Sequence, residues 1–125
     1  MLQILYIGIG GFVGAVSRFL VSRYLSNLMP SFPLGTLVVN LAGSFVLGFI
    51  VYSLTLGKNI SPDARDFITI GVLGGFTTMS TFAYESLRLF ELNQIMLFVL
   101  NILLNLVLCI AAVYAGKELA IWFGK

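Results

Sequence analysis

Two long stretches without a charged residue constrain this chain more than any other feature. Leu34–Leu56 and Ile95–Gly116 contain no Asp, Glu, Lys or Arg, and each exceeds the roughly 20 residues that a helix needs to cross about 30 Å of hydrocarbon. The chain is 59% hydrophobic and only 10% charged, whereas soluble domains carry about 25% charged residues. These stretches therefore predict an all-α integral membrane protein and supply two of its spans.

Two further spans are predicted in segments that also carry polar groups. Ile4–Leu28 contains Arg18 and Arg23, and Phe67–Leu89 contains adjacent glycines followed by several hydroxyl residues. Because neighbouring glycine and threonine residues are poor helix formers, the third helix is expected to break near Gly74-Thr78. The sequence thus predicts a single domain over residues 1–125 with four transmembrane helices.

Lysine and arginine residues give only a weak signal for orientation. If the chain has four spans, four of these seven residues lie on the side of the termini: Lys58, Arg65, Lys117 and Lys125. The other three, Arg18, Arg23 and Arg88, lie on the opposite side. The excess that normally sets topology is almost missing. Either the chain inserts both ways up and pairs as an antiparallel dual-topology homodimer, or the balance merely reflects how few charges there are.

Small residues repeat at helical spacing in the predicted spans, for example Gly10 with Gly14 and Gly71 with Gly75. Such pairs allow helix backbones to approach closely in lipid. They predict close helix packing, either between two chains or within one chain.

The residue types present argue against catalysis. The sequence has no histidine, one cysteine (Cys109) and no pair of acids at helical spacing inside the predicted spans. Zinc and haem sites and nucleophile–base pairs therefore lack their usual groups, so the chain is not expected to be an enzyme. No nucleic-acid partner is expected either.

Polar side chains inside the predicted spans are the functional candidates, since each needs a partner in hydrocarbon. They include Arg18, Asn40, Asn101 and Asn105. Arg18 is expected to face water or protein, with snorkelling toward the end of its span as the alternative.

The run from Gly74 to Phe82 has two physical interpretations. Carbonyls freed by a helix break are suitable ligands for a hard cation such as Na⁺. The hydroxyls of Ser80 and Thr81 can donate to an anion, and the ring edge of Phe82 is electropositive. Alternatively, the hydroxyls bond to their own helix and Phe82 simply packs.

Three motifs resemble those of one membrane protein family. Gly74-Gly75-x-Thr77-Thr78-x-Ser80-Thr81-Phe82 is similar to the signature of the Fluc family of fluoride channels, also called CrcB. The other two matching motifs are Gly35-Thr36-Leu37-x-x-Asn40 and Gly10-Gly11-x-x-Gly14-x-x-x-Arg18, and Glu85 is an acid after the signature. On these motifs the chain is identified as a member of that family.

The resemblance implies a passive fluoride-selective channel that exports fluoride across a bacterial or archaeal cytoplasmic membrane. It implies two pathways in an antiparallel dual-topology homodimer within the lipid bilayer. It also implies a central structural Na⁺, held by the backbone carbonyls of Gly74 and Thr77 from both subunits.

The resemblance further assigns expected roles to side chains. Asn40, Ser80 and Thr81 are expected along the fluoride route, with the ring edge of Phe82 contributing to anion coordination. Arg18 is expected near an aqueous vestibule. Glu85 is expected near a pore entrance, although it could equally pair with Arg88 three residues later.

Two departures from the family pattern stand out. Met79 occupies the pathway position where the signature usually has a first phenylalanine, so one of two rings is replaced by a flexible thioether. In the fourth span, Cys109 and Val113 replace hydroxyls, and Asn101 and Asn105 are candidates for polar contacts instead. The first departure predicts altered conductance or selectivity.

Two rival functions stay open from the sequence. A small four-span dual-topology multidrug exporter needs an acid in its first span, where this chain has Arg18. A non-transporting membrane assembly subunit would form a dimer without ion flux.

Overall fold

The computed structural model describes residues 2–125, and these residues form helices joined by short turns. The elements are α1 (Leu2–Leu28), α2 (Leu34–Thr55), α3 (Pro62–Asp66), a π-helix (Phe67–Val72), α4 (Leu73–Phe76), α5 (Met79–Glu91) and α6 (Ile95–Gly124). Four helical segments are long and apolar enough to cross a membrane: α1, α2, the third segment (Pro62–Glu91) and α6. The prediction of an all-helical membrane protein with four spans is confirmed.

The turns between the segments follow local sequence signals. At the end of α2, Lys58 N–H donates to the Ser53 carbonyl at 3.2 Å, and Gly57 between them has a φ of 96°. Asn93 has a φ of 60° and ends α5 in the same way, so both helices close with the left-handed residue of a Schellman motif. The third segment is capped by Ser61, whose hydroxyl accepts the Ala64 N–H at 3.1 Å.

Glycines bring α1 against the third segment, backbone to backbone. A Cβ atom at Gly14 would lie 2.1 Å from the Val72 carbonyl oxygen, and one at Gly10 would lie 2.6 Å from that of Phe67. A Cβ atom at Gly75 would in turn lie 2.7 Å from the Gly11 carbonyl oxygen. These small residues therefore serve packing within one chain.

The packing of α2 against α6 depends on glycines in the same way. A Cβ atom at Gly48 would lie 2.4 Å from the Val113 carbonyl oxygen, and one at Gly116 would lie 2.2 Å from that of Phe45. Close approach of this kind replaces the hydrophobic driving force that lipid does not supply between helices.

The start of the third segment is attached to α1 through a buried acid. The Asp66 carboxylate accepts hydrogen bonds from Gln3 and from Arg65 Nε, the latter at 2.9 Å. The π-helix follows directly and carries Gly71 at the crossing with α1. Sequence analysis predicted neither the acid's partners nor the π-helix.

Candidate functional site

Two residues with extended backbone separate α4 from α5. Thr77 has φ −86° and ψ 157°, and Thr78 has φ −153° and ψ 121°. The last helical bond of α4 runs from Thr77 N–H to the Leu73 carbonyl at 3.0 Å. The Thr78 hydroxyl then accepts the Thr81 N–H at 3.2 Å and caps α5. The Thr77–Thr78 segment thus combines a helix end with a helix start at the middle of a span.

Asn40 of α2 satisfies the backbone of this segment. Thr78 N–H donates to Asn40 Oδ1 at 2.8 Å, and Asn40 Nδ2 donates back to the Thr78 carbonyl at 3.1 Å. The carboxamide thereby imitates the pairing of a neighbouring strand. Backbone without helical hydrogen bonds is tolerated at membrane depth only when it is buried in protein or lines a cavity. Here Asn40 supplies the hydrogen bonds that the helix does not.

Arg18 reaches the same region from α1. Its Nε donates to the Gly75 carbonyl at 3.0 Å, and the side chain is half-buried. The guanidinium therefore points into the protein, as the sequence predicts, and not along the helix toward the end of the span.

The carbonyls around the Thr77–Thr78 segment fall into two groups. Those of Leu73, Gly75 and Thr78 each accept a hydrogen bond. Within residues 2–125, no donor reaches the carbonyl oxygens of Gly74 or Thr77. These two oxygens therefore retain their capacity to accept a hydrogen bond or to bind a cation.

A cavity of about 370 Å³, here called the Met79 cavity, lies beside these carbonyls. Its lining includes Asn40, Gly74, Thr77, Met79, Phe82, Asn105 and Cys109. Met79 is 71% exposed, so the single chain leaves most of its side chain uncovered. The cavity brings together the unpaired carbonyls and the Phe82 ring.

A second cavity of about 340 Å³, the Arg18 cavity, lies on the other side of Thr78, which borders both. Arg18 and Arg23 line it together with Thr36, Thr81 and Glu85. Two arginines and one acid make it suitable for attracting small anions.

Glu85 faces this cavity through a contact with α2. The Thr36 hydroxyl donates to the Glu85 carboxylate. Among the described residues Glu85 forms no ion pair with Arg88, so the alternative pairing of this acid is not observed.

The predicted pathway residues are not all brought together. Asn40, Met79 and Phe82 border the Met79 cavity, and Thr81 borders the Arg18 cavity. Ser80 is exposed and lines neither of these two cavities. The structure therefore separates the two adjacent hydroxyls of the motif.

Sequence reasoning missed Ser86, which joins α5 to α6. Ser86 Oγ donates to the Phe82 carbonyl at 2.8 Å and accepts from Asn101 Nδ2 at 2.9 Å. Asn105 Nδ2 in turn donates to Asn101 Oδ1 at 3.0 Å. Asn101 and Asn105 make the polar contacts expected of them, and a serine four residues after Phe82 was the available signal for the third member.

Comparison with known proteins determines the family. The family model described as CrcB-like protein, camphor resistance (CrcB), matches residues 5–117 of the chain. The chain belongs to the CrcB-like family. The resemblance seen in the three sequence motifs is thus confirmed over most of the chain.

Relatives of this CrcB-like chain carry a functional name. The fluoride-specific ion channel FluC 1 of Methanosarcina acetivorans is 50% identical over 117 residues, covering 94% of this chain and 89% of the relative. The fluoride-specific ion channel FluC of Methanococcus maripaludis is 46% identical, covering 98% of this chain and 99% of the relative. The FluC of Shewanella halifaxensis is 42% identical over 95% of this chain and 96% of the relative.

Proposed function

We propose that this CrcB-like protein is a passive fluoride-selective channel, a transporter without catalytic activity. The observation that carries the proposal is the 50% identity, over 94% of the chain, to a relative named as a fluoride-specific ion channel. The proposed location is the cytoplasmic membrane of a bacterium or archaeon, where the channel lets accumulated fluoride leave the cell.

The two cavities are consistent with a fluoride route past the Thr77–Thr78 segment. Arg18 and Arg23 raise the local anion concentration in the Arg18 cavity. Thr81 Oγ1 accepts from the Thr78 hydroxyl at 3.1 Å, which leaves its own hydroxyl hydrogen available to an anion. On the other side, Asn40, Met79 and Phe82 border the Met79 cavity, and the Phe82 ring edge offers positive charge.

In this proposal, fluoride is selected because a few fixed hydrogen-bond donors of the protein replace its hydration water. Fluoride is small and strongly hydrated, so a narrow route must replace its water without holding the ion too tightly to leave. Ser80 belongs to this route only if a second subunit covers it, because it is exposed on the single chain.

The proposed active form is an antiparallel dual-topology homodimer with two pathways. In it, the extended Thr77–Thr78 segment is a functional break in the third helix. The carbonyls of Gly74 and Thr77 fit a structural Na⁺ at the subunit interface, because they are unpaired within residues 2–125 and both border the Met79 cavity. Oxygen ligands of this type suit a hard monovalent cation, which would supply fixed positive charge between the subunits.

The two rival functions have less support. The first span of this chain carries Arg18, bonded to Gly75, in place of the acid that a proton-coupled exporter needs. The role of an assembly subunit does not account for two cavities that both border Thr78.

The first test is ion efflux from liposomes containing the purified protein. Vesicles loaded with fluoride are expected to release it rapidly, while vesicles loaded with chloride release it no faster than protein-free vesicles, because the larger ion cannot exchange its hydration in the route. Ion-selective electrodes record both. Absence of fluoride efflux from a folded, reconstituted dimer would reject the channel function.

Removal of Na⁺ tests the proposed cation site separately. Exchange of Na⁺ for N-methylglucamine is expected to lower the thermal midpoint of the detergent-solubilised dimer, because the unpaired Gly74 and Thr77 carbonyls would then lack the cation proposed to bind them. Equimolar K⁺ controls for ionic strength and is expected to restore less stability than Na⁺. Equal midpoints in all three salts would argue against a structural Na⁺.

A further inference from the structure

Five hydrogen bonds lead away from Thr78, which caps α5, and return to that helix at Phe82. From donor to acceptor this relay runs from Thr78 N–H to Asn40 Oδ1 (2.8 Å), Asn40 Nδ2 to Asn105 Oδ1 (3.4 Å), Asn105 Nδ2 to Asn101 Oδ1 (3.0 Å), Asn101 Nδ2 to Ser86 Oγ (2.9 Å) and Ser86 Oγ to the Phe82 carbonyl (2.8 Å). It crosses α2 and α6 and encloses the first turn of α5.

The direction of the relay is set by backbone groups at its two ends. Thr78 N–H can only donate, and the Phe82 carbonyl can only accept. The Thr78 carbonyl adds a second constraint, since it accepts from Asn40 Nδ2 at 3.1 Å. Turning any one carboxamide by half a rotation would place two donors or two acceptors face to face. The three asparagines are therefore held in one common orientation.

Burial prevents water from replacing three members of the relay. Asn101 is 1% exposed, Asn105 5% and Ser86 6%. A buried polar group that loses its partner in a region of low dielectric is costly, and hydrogen bonds in series reinforce one another. Loss of one member should consequently weaken the hydrogen bonds at both ends of the relay, at Thr78 and at Phe82.

The members differ in their access to the ion pathway. Asn105 borders the Met79 cavity, whereas Asn101 and Ser86 border neither that cavity nor the Arg18 cavity. An anion in the Met79 cavity can meet Asn105, whereas an anion in either cavity cannot meet Ser86. Direct anion binding and action through the relay therefore give different expectations for Ser86.

We propose that Ser86, Asn101 and Asn105 are positioning residues for the ion pathway. Through the relay they keep the Asn40 carboxamide on Thr78 and hold Phe82 at a fixed rotation against α2 and α6. The expected effect on flux rests on the proposed channel function, whereas the expected effect on the Thr78 amide does not.

The test compares Ser86→Ala with Ser53→Ala. The buried Ser53 hydroxyl has no hydrogen-bond partner within residues 2–125, so its removal is a matched control. Fluoride efflux from liposomes and hydrogen–deuterium exchange at Thr78 are both measured. Ser86→Ala is expected to slow efflux and accelerate Thr78 exchange by at least about fivefold each, because one buried bond is lost. Ser53→Ala and the hydroxyl-retaining Ser86→Thr are expected to match the wild type in both.

A double-mutant cycle with Asn105→Ala adds a second criterion. If Ser86 and Asn105 act through one relay, the double variant loses less than the product of the two single losses. Ser86→Cys, with its weak thiol donor, replaces Ser86→Ala if the latter does not fold. Efflux and Thr78 exchange in Ser86→Ala that equal those of Ser53→Ala overturn the proposal, and so does full independence of the two sites.

Failure of the proposed function remains distinguishable from failure of the relay. A wild-type protein that conducts no fluoride rejects the channel function, and Thr78 exchange then decides the relay alone. Faster exchange in Ser86→Ala still supports positioning, and unchanged exchange overturns it.

Discussion

Replacing Phe82 with isoleucine is expected to reduce fluoride efflux by at least about tenfold. The substitution retains apolar volume beside the Met79 cavity but removes the electropositive ring edge. A lost contact of about 1.4 kcal/mol at the highest barrier corresponds to that factor. The effect should be large in this chain because Met79 supplies no second ring edge to compensate. Efflux from liposomes at matched protein density measures it.

Phe90→Ile is the control for this substitution. Phe90 lies on the same helix but packs against Phe98, with ring centroids 5.4 Å apart, and borders neither the Met79 nor the Arg18 cavity. Efflux is expected to stay near the wild-type rate in this variant. If both variants lose efflux equally, the aromatic residues of α5 act by stabilising the protein and not by binding the anion. If Phe82→Ile conducts fluoride at the wild-type rate, its ring takes no part in anion coordination.

The spans and their ends could be predicted because they depend on local chemistry. Uncharged apolar length located α2 and α6. The cap at the start of the third segment is equally local, since it depends on the Ser61 hydroxyl and the following proline. The π-helix Phe67–Val72 could not be predicted in this way. It lies where Gly71 meets α1, and that contact depends on which helices are neighbours.

The candidate site shows the same division between residue types and partners. Arg18, Asn40 and Glu85 stood out because polar groups in hydrocarbon need partners. Their partners lie 57, 38 and 49 residues away along the chain, on other elements of the fold. Sequence spacing does not determine such pairs, so it left Glu85 between a pore role and an ion pair with Arg88.

Small-residue pairs illustrate a different limit. Gly10 and Gly14 have the same chemistry whether they meet a second chain or another helix of their own chain. The structure places Gly10 against Phe67 and Gly71, and Gly14 against Val72 and Phe76, all within one chain. These two glycines are therefore not available to pair two chains in the proposed dimer.

Gly14→Ala is expected to destabilise the protein more than any other single methyl addition to α1. The new Cβ atom would lie 2.1 Å from the Val72 carbonyl oxygen and 2.9 Å from Phe76 N, and neither backbone group can rotate away as a flexible side chain would. Separation of α1 from the third segment should cost about 1–3 kcal/mol. It should also displace Arg18, one turn later, from the Gly75 carbonyl. Thermal unfolding in detergent measures the first effect.

Gly8→Ala is the matched control, because a Cβ atom at Gly8 meets nothing within 4 Å. The same substitution six residues earlier on the same helix is expected to leave the midpoint unchanged or slightly higher, since alanine favours helix over glycine. A lower thermal midpoint in Gly14→Ala alone therefore cannot result from helix propensity and must result from the contact with the backbone of the third segment. If Gly14→Ala unfolds at the same temperature as Gly8→Ala, the close crossing of α1 with the third segment is wrong. The bond from Arg18 to Gly75, which depends on that crossing, would then have to be abandoned as well.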